Sequence, residues 1–217
     1  NKPIRLVKNS TTTQFSYGAD GMRFKQTNTT GGQTTTTYYV GKGFEREIQP
    51  GNKVLDKTFI GNHTTFYKVV SGKPDYPAPV LHTLVDRLGS PSTLIKGGFA
   101  TSTVIRYRAH GVFGRPIDAG TGSALSILGD WDSQYRGYTG HEHLVEQQLV
   151  HMNGRIYDYN LGRFMSVDPF IQAPQSSQSI NPYSYIMNNP MAGTDPTGYI
   201  SEPDVENEQM ATDVQKA

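Results

Sequence analysis

Large and polar residues alternate along most of the first hundred positions, at the spacing of strands rather than helices. Phe15 to Tyr17 and Met22 to Phe24 flank a Gly/Asp turn at 18–21, which predicts a β-hairpin. The unit then recurs. A turn at Gly31 and Gly32 leads into a Thr-rich run ending in Tyr38, Tyr39 and Val40. A second turn, Gly41 to Gly43, opens a strand from Phe44 to Ile48. Threonine in such runs suits a pleated, half-exposed surface. Aromatics recurring at strand spacing argue against the alternative of a disordered Thr linker. Residues 53–70 predict two more strands around Gly61 and Asn62, and the proline-rich stretch from Lys73 to Pro79 reads as a loop or insertion.

Beyond Val80 the runs Leu81 to Ser90 and Ile105 to Gly114 again predict strands, with Thr93 to Gly98 expected to form the turn of a long hairpin. Asp86 and His82 are read as structural turn residues. Leu144 to Met152 fits either short helical turns or a strand, and periodicity does not separate them. From Gly154 to Tyr199, Asn-Pro, Asp-Pro and Thr-Gly pairs alternate with short Tyr- and Phe-bearing runs, which predicts tight turns. Inside that weakly charged stretch lie Arg155, Asp168 and Asp195.

Composition narrows the classes. A length of 217 residues suits one large domain or one and a half. Thirty-five per cent hydrophobic residues with 23 Gly, 13 Tyr and 9 Phe fit a turn-rich all-β protein better than a helical bundle. A formal charge of +1 supplies no field for nucleic acid. The absence of cysteine removes disulfides, thiolate nucleophiles and cysteine zinc sites together. No apolar run approaches the roughly 18 residues of a membrane span. Asn1 does not begin a signal peptide and stands in mid-pattern, so a piece of a longer chain is expected, with targeting information elsewhere. No cofactor is expected.

Residues 115–153 contain the tryptophan, Trp131, and the histidines His141, His143 and His151. On a strand, His-x-His directs both rings to one face, and His151 could complete a metal site; a metal-dependent hydrolase is therefore one alternative. Glu142 would then face the other side, and the spacing is not that of H-E-x-x-H.

The wording of the last third carries a resemblance. Arg155-x-Tyr157-Asp158, Gly162-Arg163-Phe164-x-Ser166-x-Asp168-Pro169, then Asn181-x-Tyr183-x-Tyr185-x-x-Asn188-Asn189-Pro190 and Asp195-Pro196-x-Gly198 resemble the core domain that closes Rhs/YD-repeat proteins. That family includes bacterial Rhs toxins, the C subunit of ABC toxin complexes and, more distantly, teneurins. Residues 15–39 resemble one degenerate YD repeat, and residues 81–90 and 105–114 resemble further family motifs. Repeats of this size bury their faces against neighbours.

The resemblance implies a β-hairpin strip forming part of a shell or β-solenoid, with the core winding inward as a plug. On this basis residues 1–79 are degenerate YD-repeat strands and 80–199 the core domain. Residues 200–217, acidic and without aromatics, are the start of a variable and disordered C-terminal region. Partners would be the chain's own C-terminal effector, the preceding shell and a delivery system or toxin-complex subunit. Localisation would be secreted or delivered by bacterial export. Unpaired strand edges would also favour a homodimer. Aromatic-rich inner faces would suit contact with a non-native chain.

Toxin-type relatives cut their own chain just after D-P-x-G-L by a mechanism likened to aspartyl proteolysis. Carried over by position, the arginine is Arg155, the two carboxylates are Asp168 and Asp195, and the cut lies between Tyr199 and Ile200. Close carboxylates can split the roles of base and acid, because like charge raises one pKa while the other group stays ionised. An arginine beside them can keep one ionised or stabilise the oxyanion. An intramolecular reaction draws much of its acceleration from proximity. Tyr199 departs from the usual leucine. The second alternative is a non-catalytic scaffold or cell-surface module, in which Asp-Pro only forms turns and Arg155 pairs with Asp158 or Asp168 to fix loops.

Overall fold

A computed structural model describes residues 2–61, 63–73, 79–97, 102–125 and 135–203. Eleven strands form one antiparallel sheet in strict chain order: β1 (Arg5–Lys8), β2 (Thr11–Tyr17), β3 (Arg23–Thr30), β4 (Gln33–Val40), β5 (Phe44–Gln49), β6 (Lys53–Ile60), β7 (Thr64–Ser71), β8 (Val80–Val85), β9 (Pro91–Gly97), β10 (Thr103–His110) and β11 (Pro116–Asp118). The all-β expectation holds. The turns at 18–22, 31–32 and 41–43 fall between these strands as the glycine pattern predicts. Period two is visible in β2, where Thr11, Thr13 and Phe15 are buried while Gln14 between them is exposed.

One turn differs from expectation. Thr93 to Gly97 lie inside β9, and the reversal falls at 86–90. There Asp86 Oδ1 accepts hydrogen bonds from the Leu88 and Ser90 amides, both at 2.9 Å. Asp86 thus has the turn role assigned to it, and the threonine and aliphatic side chains of β9 suit a strand more than its glycines suit a turn. Gly98 lies outside the described residues. So do Asn62, 74–78 of the proline-rich stretch, Gly129 to Trp131 and most of the acidic tail.

A second, four-stranded antiparallel sheet follows: β12 (Glu142–Leu144), β13 (Leu149–Met152), β14 (Arg155–Asp158) and β15 (Arg163–Phe164). A 3-10 turn at Val145–Gln147 links β12 to β13, so Leu144 to Met152 contains both conformations that its periodicity left open. β13 and β14 are buried at every position. One face packs Val150, Met152 and Tyr157 with Tyr138, Phe164, Tyr185 and Ile186. The opposite face packs Leu144, Leu149 and Ile156 against Phe15 of β2.

The long sheet curls around this smaller one. Adjacent residues of β14 reach opposite ends of the strip: the Tyr157 hydroxyl donates to the Phe113 carbonyl at 3.0 Å, just before β11, and Asp158 lies 3.6 Å from Lys8 of β1. Register shifts in β2, β6, β8 and β10 add the local twist that lets the strip bend. Glu142 joins the two sheets, meeting Arg23 and accepting from the Tyr39 hydroxyl at 3.1 Å.

The inner face mixes polar and aromatic groups. Between the sheets lies a cavity of about 420 Å³ lined mostly by polar groups, among them Gln26, Asn28, Thr35, Glu45, Glu47 and Lys57. Phe59 and Tyr135 also line it, and Tyr138, Tyr157 and Tyr185 pack in the small sheet's core. Among the described residues, no helix is long and apolar enough to cross a membrane.

Candidate active site

Arg155 begins β14 and shares a strand face with Tyr157, opposite the face that packs on Phe15 of β2, and reaches the Asp-Pro loops. Its guanidinium is buried and stacks 3.6 Å from the Phe164 ring centre. One nitrogen, Nη2, serves both carboxylates: Asp168 Oδ2 at 2.7 Å and Asp195 Oδ2 at 3.5 Å. Nη1 donates to the Pro182 carbonyl at 3.2 Å and Nε to the Gly198 carbonyl. Asp158 is on the opposite face and pairs with Lys8 instead.

The carboxylates are held differently. Asp168 follows β15, where its Oδ1 accepts from the Phe170 amide at 2.9 Å. Asp195 is buried, and its Oδ1 accepts from the amides of Tyr199 (2.9 Å) and Ile200 (3.0 Å). Burial raises the Asp195 pKa, opposed by Arg155 and by the backbone amides. Burial lowers the Arg155 pKa, opposed by Asp168 and Asp195. The two acids thus flank a shared guanidinium nitrogen.

Tyr199 is seated. Its hydroxyl donates to the Gly154 carbonyl at 3.0 Å, and its ring packs edge-on to Phe170. A Cβ on Gly154 would come within 2.6 Å of the Tyr199 ring, so the β13–β14 turn leaves room for an aromatic at this position. Thr197 Oγ1 also accepts from the Ile200 amide, at 3.1 Å. The Tyr199 carbonyl accepts from Gln172 Nε2 at 3.0 Å. Gln172 belongs to no motif, and nothing in its local sequence marks it. A cleft of about 30 Å³, lined by Arg155, Asp168, Gln172 and Ser201 among others, has room for a water molecule.

Arg155, Asp168, Asp195, Tyr199 and Ile200 are thus brought together. The three histidines are not. His141 Nδ1 meets Thr139 Oγ1 at 2.9 Å, His143 Nε2 accepts from the Tyr138 amide at 2.9 Å, and His151 Nε2 meets the Tyr17 hydroxyl at 3.1 Å. No group of three His, Cys, Asp or Glu side chains arranged for a metal occurs among the described residues. Each ring is a core residue with its own partner, and burial holds all three below the ordinary imidazole range.

The fold has known counterparts. The chain superposes on the crystal structure of TcdB2-TccC3-Cdc42 with a TM-score of 0.70 over 91% of its length, at 19% identity. It superposes on that of TcdB2-TccC3 with a TM-score of 0.68 over 86%, also at 19% identity. It spans 9% of the length of each of those chains. At this identity the likeness is one of fold. Salivary gland surface protein 1 of Aedes aegypti is 38% identical over 64 residues, which is 30% of this chain and 2% of that protein. No protein-family model matches the chain.

Proposed function

We propose that this chain is the C-terminal shell segment of an Rhs-type toxin protein, related to the C subunit of toxin complexes, and that it cuts its own backbone between Tyr199 and Ile200. In this reading residues 80–199 are the core, and the chain after Ile200 is the effector that the shell encloses until export and delivery. The observation that carries the reading is the shared guanidinium: Arg155 Nη2 lies against Asp168 and Asp195, and Asp195 Oδ1 lies 3.0 Å from the nitrogen that would leave. The fold likeness to the TcdB2-TccC3 structures supports the toxin-complex setting.

The two acids divide the work. Burial favours the protonated form of Asp195, the form that can supply the leaving amine with its proton. Asp168, ion-paired with Arg155, is the base for water. The test is the intact mass of the full-length parent protein beside its Asp168→Asn and Asp195→Asn variants. A break after Tyr199 in the wild type, absent in both variants, is expected.

One observation favours the non-catalytic scaffold instead. Both carboxylates also accept backbone amides in their own loops, a role that needs no chemistry. An unbroken wild-type chain would establish that reading.

A further inference from the structure

The Tyr199–Ile200 peptide is held at both polar ends by side chains from separate loops. Its nitrogen donates to Asp195 Oδ1 and Thr197 Oγ1, and its carbonyl oxygen accepts from Gln172 Nε2 at 3.0 Å. Arg155, the sequence-based candidate for the oxyanion, directs its donors at the Gly198 and Pro182 carbonyls and the two carboxylates. The small cleft is lined by Gln172, Asp168 and Ser201, so its water-sized space touches the residue that donates to the carbonyl and the carboxylate that would serve as base. A donor already in place where negative charge will gather lowers a barrier most, because it need not reorganise.

We propose that Gln172 is a catalytic residue of this self-cleavage, the donor that stabilises the oxyanion on Tyr199, with the attacking water in the cleft between it and Asp168. The inference rests on the autoproteolytic reading above. The water oxygen bonds to the Tyr199 carbonyl carbon while one of its protons passes to the Asp168 carboxylate. Charge collects on the carbonyl oxygen against Gln172 Nε2. The carbonyl then re-forms, the C–N bond breaks, and the nitrogen of Ile200 takes the proton that Asp195 carried. One water is consumed, leaving a carboxyl on Tyr199 and an amine on Ile200.

The experiment is cell-free synthesis of the full-length parent protein, sampled over time by intact mass, for wild type, Gln172→Ala and Gln172→Glu at several pH values. Gln172→Ala is expected to slow cleavage about 10²- to 10³-fold, the effect of losing one oxyanion donor, with the melting temperature unchanged. Gln172→Glu keeps the shape but can donate only when protonated. Its cleavage is expected to be slow at neutral pH and to recover, relative to wild type, as pH falls through the carboxyl range. A loss of rate without a change in melting temperature separates this role from that of a merely structural glutamine. Wild-type rates in both variants would overturn the role of Gln172 and leave autoproteolysis standing. An uncut wild type would overturn both.

Discussion

Gly198 lies so close to the β13–β14 turn that a Cβ there would overlap the Met152 carbonyl oxygen and approach the amides of Gly154 and Arg155 to 2.9 Å. Its φ of +76° also disfavours any side chain. The last residue of D-P-x-G is thus a contact surface as well as a turn. Gly198→Ala is expected to destabilise the protein by about 3 kcal/mol or more through combined clash and strain. Urea unfolding would measure it, and a loss under 1 kcal/mol would contradict this packing.

Arg155 neutralises a buried carboxylate, so removing it should cost more than removing either acid. Arg155→Met is expected to destabilise by about 3–5 kcal/mol, the range for breaking a buried pair from one side. Adding Asp195→Asn to it should recover part of that loss. A purely additive double variant would mean the two groups are uncoupled.

The seat of Tyr199 is a steric relation with Gly154. Gly154→Ala pushes the ring out and is expected to lower stability and, on the proposed self-cleavage, to slow it, whereas Gly154→Ala combined with Tyr199→Ala restores space and should relieve part of the strain. Cleavage time courses and melting curves of the four combinations separate seating from general damage.

Acid should weaken the fold. Burial lowers the pKa of His110 to about 3 and that of His141 to about 4, against about 6.5 in an unfolded chain. Between those limits the unfolded state binds more protons. Stability from these rings is therefore full above about pH 6.5, declines as pH drops toward 4, and levels off near 3. Asp195, raised by burial, acts in the opposite sense. Urea midpoints at pH 7.5, 6 and 5 should fall in that order. His110→Phe, set among the rings of Tyr138 and His143, should flatten the slope.

The long sheet was readable in the sequence because its turns are made by glycine and its strands alternate. The convergence of Arg155, Asp168 and Asp195 was readable because each belongs to a motif. β9 was misassigned where Gly97 and Gly98 outweighed the strand-forming residues before them. β13 was ambiguous because burial on both faces erases the period-two signal. Gln172 left no trace, since one hydrogen bond from a residue outside the motifs depends on how distant loops meet.

β14 acts as a keystone. The Tyr157 hydroxyl and Asp158 grip the far ends of the strip, while Arg155, at the start of the same strand, holds the acids beside the Tyr199–Ile200 bond. A load that pries the strip open therefore pulls on the strand that holds both acids in place. Spreading of the strip and separation of Arg155 from its carboxylates become one mechanical event.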